Sequence, residues 1–191
     1  MNSLAMRQKV GCAIERAPRE ERQRLPLKGH FKVEIKRAID GILPEVPVVD
    51  KYEMDNDIVN AGKNQILGLM FFGATQISTG SWVIGLISAA GYSALAAGDT
   101  MASHSGWAEF TSYSQANRVA WGPGAASGQA ITNGTPAQFS ITASGTLEGV
   151  FITDQNTIGG TSGDLWATAL FSATVPVNNG DVIKITYTIS S

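Results

Sequence analysis

The stretch Val182-Ile183-Lys184-Ile185-Thr186-Tyr187-Thr188-Ile189 decides the fold class. Ile183, Ile185, Tyr187 and Ile189 share one face of an extended chain, and Val182, Lys184, Thr186 and Thr188 share the other. Strict alternation of this kind marks a strand buried on one side and solvated on the other. Asn178-Asn179-Gly180-Asp181 reads as a hairpin turn feeding it. Upstream, strand-length runs occupy residues 66–72, 82–87, 107–113, 118–121, 138–142, 146–153 and 165–171. Gly122-Pro123-Gly124, Asn133-Gly134, Gly145 and Gly159-Gly160 supply turns between runs. Residues 88–101 read as a connection with a helical turn over Ala89 to Ala97, ended by Gly98. Short strands joined by small polar turns predict an all-β fold, an antiparallel β-sandwich of jelly-roll type. An immunoglobulin-like sandwich is the nearest rival.

Charge divides the chain differently. Only Arg118 and Lys184 are basic from Asn64 onward, whereas twelve basic residues precede it. Residues 1–37 hold ten basic side chains against four acidic ones, and residues 38–63 hold two against six. Gly11 and Pro18 weaken a short helix over residues 1–24. Phe31, Val33 and Ile35 alternate with Lys32, Glu34 and Lys36 as a half-buried strand. Pro44 and Pro47 suit an extended edge, and residues 50–57 read as a solvated acidic linker. The expected division is an extended N-terminal arm over residues 1–57 and a β-sandwich domain over residues 58–191.

Little in the chain suits catalysis or cofactor chemistry. Cys12 is the single cysteine, so no intrachain disulfide framework forms. No secretory signal is visible, and synthesis in a reducing cytoplasm is expected. Two histidines and one cysteine do not supply a zinc site, and residues 50–57 lack the glycine and closing glutamate of a calcium loop. Ser103 or Ser105 with His104 and Asp99 or Glu109 can be drawn as a hydrolytic set, but no nucleophile-elbow pattern surrounds them. The reading is no catalytic residue, no metal and no cofactor. The uncharged stretch between Lys63 and Asp99 is too broken by Gly, Ser, Thr and Gln to span a membrane. Nucleic acid is disfavoured as a partner, because acidic residues interrupt the basic segment and Phe31 is its only aromatic. Trp82, Trp107, Trp121 and Trp166 fall on expected strands and are assigned to the core or a subunit interface, with a glycan-stacking platform as the alternative.

Several segments carry a resemblance. Ser81-Trp82-Val83-Ile84-Gly85-Leu86, the run from Ala97 through Asp99-Thr100-Met101-Ala102-Ser103-His104-Ser105-Gly106-Trp107-Ala108-Glu109, and Gly149-Val150-Phe151-Ile152-Thr153 resemble small virion proteins of tailed double-stranded DNA phages. The ending, from Leu170-Phe171-Ser172-Ala173 through Val177-Asn178-Asn179-Gly180-Asp181 to Ile185-Thr186-Tyr187-Thr188, is also similar. The resemblance covers residues 57–191. It implies a structural protein of the capsid cement or decoration type, a β-sandwich with an extended arm, often trimeric, and no catalytic residues. The expected function is therefore a non-enzymatic cement protein on the capsid surface. Its partners are the major capsid protein and copies of itself, packed through apolar strand faces as a homotrimer. Lys28, Phe31, Lys32, Val33, Ile35, Lys36 and Arg37 would join the arm to the capsid, with Phe31 to Ile35 adding a strand to a neighbour's sheet. A tail, neck or fibre-tip protein, with a glycan-binding surface, is the alternative.

Overall fold

The computed structural model describes residues 27–191, so the expected short helix over residues 1–24 and Cys12 lie outside the described residues. The elements run β1 (Lys28–Lys36), β2 (Val49–Ile58), α1 (Asn60–Phe71), β3 (Val83–Ser88), β4 (Ala108–Phe110), β5 (Val119–Ala120), β6 (Ala130–Thr132), β7 (Ala137–Ser140), β8 (Gly145–Thr153), β9 (Leu165–Val177) and β10 (Val182–Ser190). The antiparallel all-β architecture is present as one curled ten-stranded sheet, a half-barrel, in the order β4-β3-β8-β9-β2-β1-β10-β6. The β5 strand adds beside β3, and β7 beside β10. Only Asp57↔Thr168 and Ile58↔Ala167 join β2 to β9. That short seam divides the sheet into two halves that share one core. Phe31, Val33, Ile183, Ile185 and Tyr187 from one half belong to the same buried cluster as Leu86, Val150 and Ile152 from the other. A second cluster, with Ile87, Trp107, Phe151 and Leu165, forms on the opposite face of β3 and β8. Burial on both faces explains why these two strands read as continuous apolar runs rather than alternating ones.

The arm needs correction from residue 28 onward. Phe31, Val33 and Ile35 have no exposed surface. The β1 strand pairs along its length with β10 on one side and β2 on the other, so it has no free edge to offer a neighbour. Phe31 stacks on Tyr187 with ring centroids 4.3 Å apart. Burying each such side chain is worth about 1.5–3 kcal/mol, which the chain gains within its own core. The boundary expected after residue 57 therefore moves forward, and residues 28–58 form the β1–β2 hairpin of the β domain.

Four local expectations also change. The acidic linker is strand β2, with Lys51, Glu53, Asp55 and Asp57 outward and Met54 inward. The strand expected over residues 66–72 is instead the second half of α1. Ala61, Lys63, Gln65, Leu67, Leu69 and Met70 are good helix formers. Gly73, at φ +69°, ends the helix in the left-handed conformation, and the Phe72 and Ala74 amides both donate to the Gly68 carbonyl. Residues 88–101 hold turns and bends but no helical turn, with Leu95 packed on the second cluster. The turn at residues 178–181 exists, but it is not a hairpin turn. It carries the chain from β9 in one half to β10 in the other.

Candidate interaction surface

The partner-binding residues expected on the arm divide by face. Phe31, Val33 and Ile35 are core. Lys28 and Lys32 are exposed and Lys36 is half-buried on the outer face of β1. Among the described residues, none of these three lysines has a carboxylate within ion-pair distance. Elsewhere on this face side chains meet acids across the strands. Lys51 lies 3.7 Å from Glu34, and His30 lies 3.0 Å from Asp55 and 3.9 Å from Glu53.

Arg37 is not free to meet an acidic partner. Its Nε donates to Asp50 at 2.6 Å, and its Nη1 donates to Asp181 at 2.9 Å and to the Pro176 carbonyl at 2.7 Å. Asp181 is wholly buried and also accepts from the Ala38 and Asn178 amides. Burial alone would lower the Arg37 pKa, but its hydrogen bonds to Asp50 and Asp181 and the negative charge of both outweigh it and raise the value. The residue is a structural clamp at the base of the β1–β2 loop.

Beyond that clamp the chain presents apolar surface. Ile39 and Ile42 exchange backbone hydrogen bonds around Asp40-Gly41, both with positive φ, +50° and +78°. This is the turn geometry that Asp-Gly favours in two-residue hairpins. Ile42 is 72 % exposed, Val46 88 % and Val48 67 %, and Pro44 and Pro47 stiffen the loop around them. The loop, not the strand, carries the exposed apolar residues of this segment. The Asp40-Gly41 dipeptide between two isoleucines is the sequence signal that could have marked this turn.

Of the apolar strand faces expected to form a trimer contact, little is left exposed on β8, β9 and β10. The inward faces of β8, β9 and β10 are the core itself, and Leu170 is the one large apolar residue of these strands left exposed among the described residues. Three of the four tryptophans are core. Trp121 donates through Nε1 to the Tyr187 carbonyl at 2.9 Å, Trp166 to the Tyr187 hydroxyl at 3.0 Å, and Trp107 to Asp99 at 3.0 Å. Trp82 is half-buried and packs edge-on against Trp166 at 6.1 Å. Trp107, Trp121 and Trp166 are thus buried, and Trp82 is the least covered of the four.

The serine–histidine–acid set drawn on paper does not come together. His104 stacks on Trp107 at 4.0 Å, and its Nδ1 lies 3.1 Å from the Trp107 carbonyl. Asp99 accepts from the Trp107 indole and the Ala96 amide. Glu109 is held by Arg118 in a two-pronged pair at 2.9 and 2.8 Å, and it accepts from the Gly159 amide. Arg118 also donates to the Gln155 and Gly160 carbonyls, stapling the β8–β9 loop to β4. Both acids thus serve the loops around them. No helix among the described residues is long and apolar enough to cross a membrane. Comparison with known proteins finds no matching family model and no matching curated protein.

Proposed function

We propose that this protein is a non-enzymatic virion component that binds the outer capsid shell of a tailed phage and cements it, acting as an oligomer, a homotrimer in the simplest case. The observation that carries the reading is the exposed apolar loop at residues 39–48, reached by a strand whose outer face carries Lys28, Lys32 and Lys36, none of them ion-paired among the described residues. An apolar tip beside fixed positive charge suits a shallow acidic surface on a capsid subunit. The resemblance of residues 57–191 to small phage virion proteins supplies the class of partner. Weak contacts repeated around a symmetric shell add up through multivalency.

The test uses heads that lack this protein. Purified full-length chain is added, and occupancy is read from an electron cryomicroscopy reconstruction. Ile42→Ser with Val46→Ser, or charge reversal of Lys28, Lys32 and Lys36, should empty the sites while the circular dichroism spectrum stays unchanged. Wild-type occupancy with either variant removes this reading. In whole virions, labelled antibody found on the tail alone would favour the tail or fibre-tip role instead.

A further inference from the structure

We propose that the C-terminal half of α1 is the surface on which a second copy of this chain docks. Met70, Phe71 and Phe72 are 70 %, 80 % and 90 % exposed, and Leu67 and Leu69 lie beside them at 55 % and 37 %. An aromatic side chain carries roughly 150–250 Å² of surface, so the two phenylalanines alone leave about 300 Å² in water. Their aliphatic neighbours bring the patch to about 600 Å², the upper end of what a soluble monomer leaves open. Such a patch covered by an equal area of a neighbour buries roughly 1,200 Å² in total, where specific stable interfaces begin. No charged side chain lies between Lys63 and Asp99, so copies meet here without desolvating an ion.

Shape supports the same occupant. A slot of about 200 Å³ opens between α1 and the sheet, walled by Trp82, Trp121, Ile152 and Trp166 and by Gln65 and Leu69 of the helix. The tip residues Phe71 and Phe72 do not fill it, since both stand in solvent. Tip and slot share one helix. In a closed symmetric assembly each copy therefore gives its tip to a neighbour's slot and receives another in return. A lipid surface is the weaker match. Helices that lie on membranes pair an apolar face with a strongly charged one, and the exposed half of α1 carries no charge.

This deepens the assembly part of the capsid reading, and its test needs no capsid, so either can fail alone. Sedimentation equilibrium of the purified full chain at ~10 µM, within the usual range of stable association, should give a multiple of the 20.1 kDa chain mass. Phe71→Glu with Phe72→Glu should return the monomer mass with an unchanged circular dichroism spectrum, and Met70→Lys should weaken association at least tenfold. Ile42→Ser with Val46→Ser should leave the mass as it is. A wild-type chain that stays monomeric, tip variants that still associate, or association lost only with the loop variant would each refute the proposal. So would a monomer that binds phosphatidylcholine–phosphatidylglycerol vesicles through Phe71 and Phe72.

Discussion

The Nη1 of Arg37 lies 2.9 Å from Oδ2 of Asp181, a carboxylate with no exposed surface, and this contact ties the base of the β1–β2 loop to the turn before β10. It joins two segments that are distant in sequence at the place where the chain crosses between the halves of the sheet. Removing one partner of a buried pair strands the other, which costs about 3–5 kcal/mol. Arg37→Ala should therefore lower unfolding stability by about that amount in urea titrations. Arg37→Lys should recover only part of it, because an ammonium does not fork across Asp50, Asp181 and the Pro176 carbonyl. A loss under about 1 kcal/mol for Arg37→Ala would mean that the clamp contributes no more than a surface pair.

The place of β1 in the core gives a second test. Deleting residues 1–26 should leave the β domain folded by circular dichroism and thermal melting. Deleting residues 1–37 should not, because it removes the strand between β2 and β10 together with Phe31, Val33 and Ile35. Phe31→Ala alone should cost about 3–5 kcal/mol, the range for truncating a buried phenylalanine. A cooperative melt from the residue 38–191 fragment would show that this strand is dispensable.

These two regions also show what was legible in the sequence. The β10 and β1 strands announced themselves because each buries one face and solvates the other. What remained hidden for β1 was the destination of its apolar face, since alternation says that a face is covered but not by which chain. The β2 strand was illegible because Asp50 and Asn56 sit on its inward side. Each is compatible with an inward position only through a partner elsewhere in the chain, Arg37 just past β1 for Asp50 and Tyr187 of β10 for Asn56. The helix was misread for a different reason. Its apolar residues do not form one stripe, because the outer half is not packed on the other described residues, and Val59 gives no side-chain cap to mark the start. Of the residues expected on the candidate surface, Lys28, Lys32 and Lys36 lie on the outer face of β1, whereas Phe31, Val33 and Ile35 are core and Arg37 is held by Asp50 and Asp181. The lysines were legible, but the exposed loop was not separable from the buried strand by composition.

Asp164 supplies a pH prediction. Although Asp164 is exposed, partial desolvation first, and the charge of Asp154 second, raise its pKa, and the Gln65 amide donates to it at 2.9 Å. A raised carboxyl favours the neutral form in the folded state. Its stabilising contribution is present below the ordinary carboxyl range and is lost as pH rises through the folded value. At neutral pH the ionised group is therefore a small liability. Asp164→Asn keeps an acceptor for Gln65 and should raise the melting temperature at pH 7. The advantage should shrink as the pH falls towards ~4, where the carboxyl protonates in both states. An equal difference at both pH values would remove the electrostatic cause.

Tyr187 is where the last prediction falls. Its hydroxyl accepts from Trp166 Nε1 at 3.0 Å and from Asn56 Nδ2 at 3.2 Å, and its ring stacks on Phe31. Its backbone is held as well, since the amide donates to Asn133 and the carbonyl accepts from Trp121. Tyr187→Phe would keep the stack and the backbone bonds but leave two buried donors without an acceptor. That should cost about 1–3 kcal/mol, read from chemical denaturation. Pairing it with Trp166→Phe removes one of the stranded donors, so the double variant should lose less than the sum of the two singles. Strict additivity would mean that the two groups do not share the bond. Burial also raises the Tyr187 pKa. Its phenol should therefore stay protonated in the folded protein above the ordinary tyrosine range, and in an alkaline absorbance titration its signal should appear only as the domain unfolds.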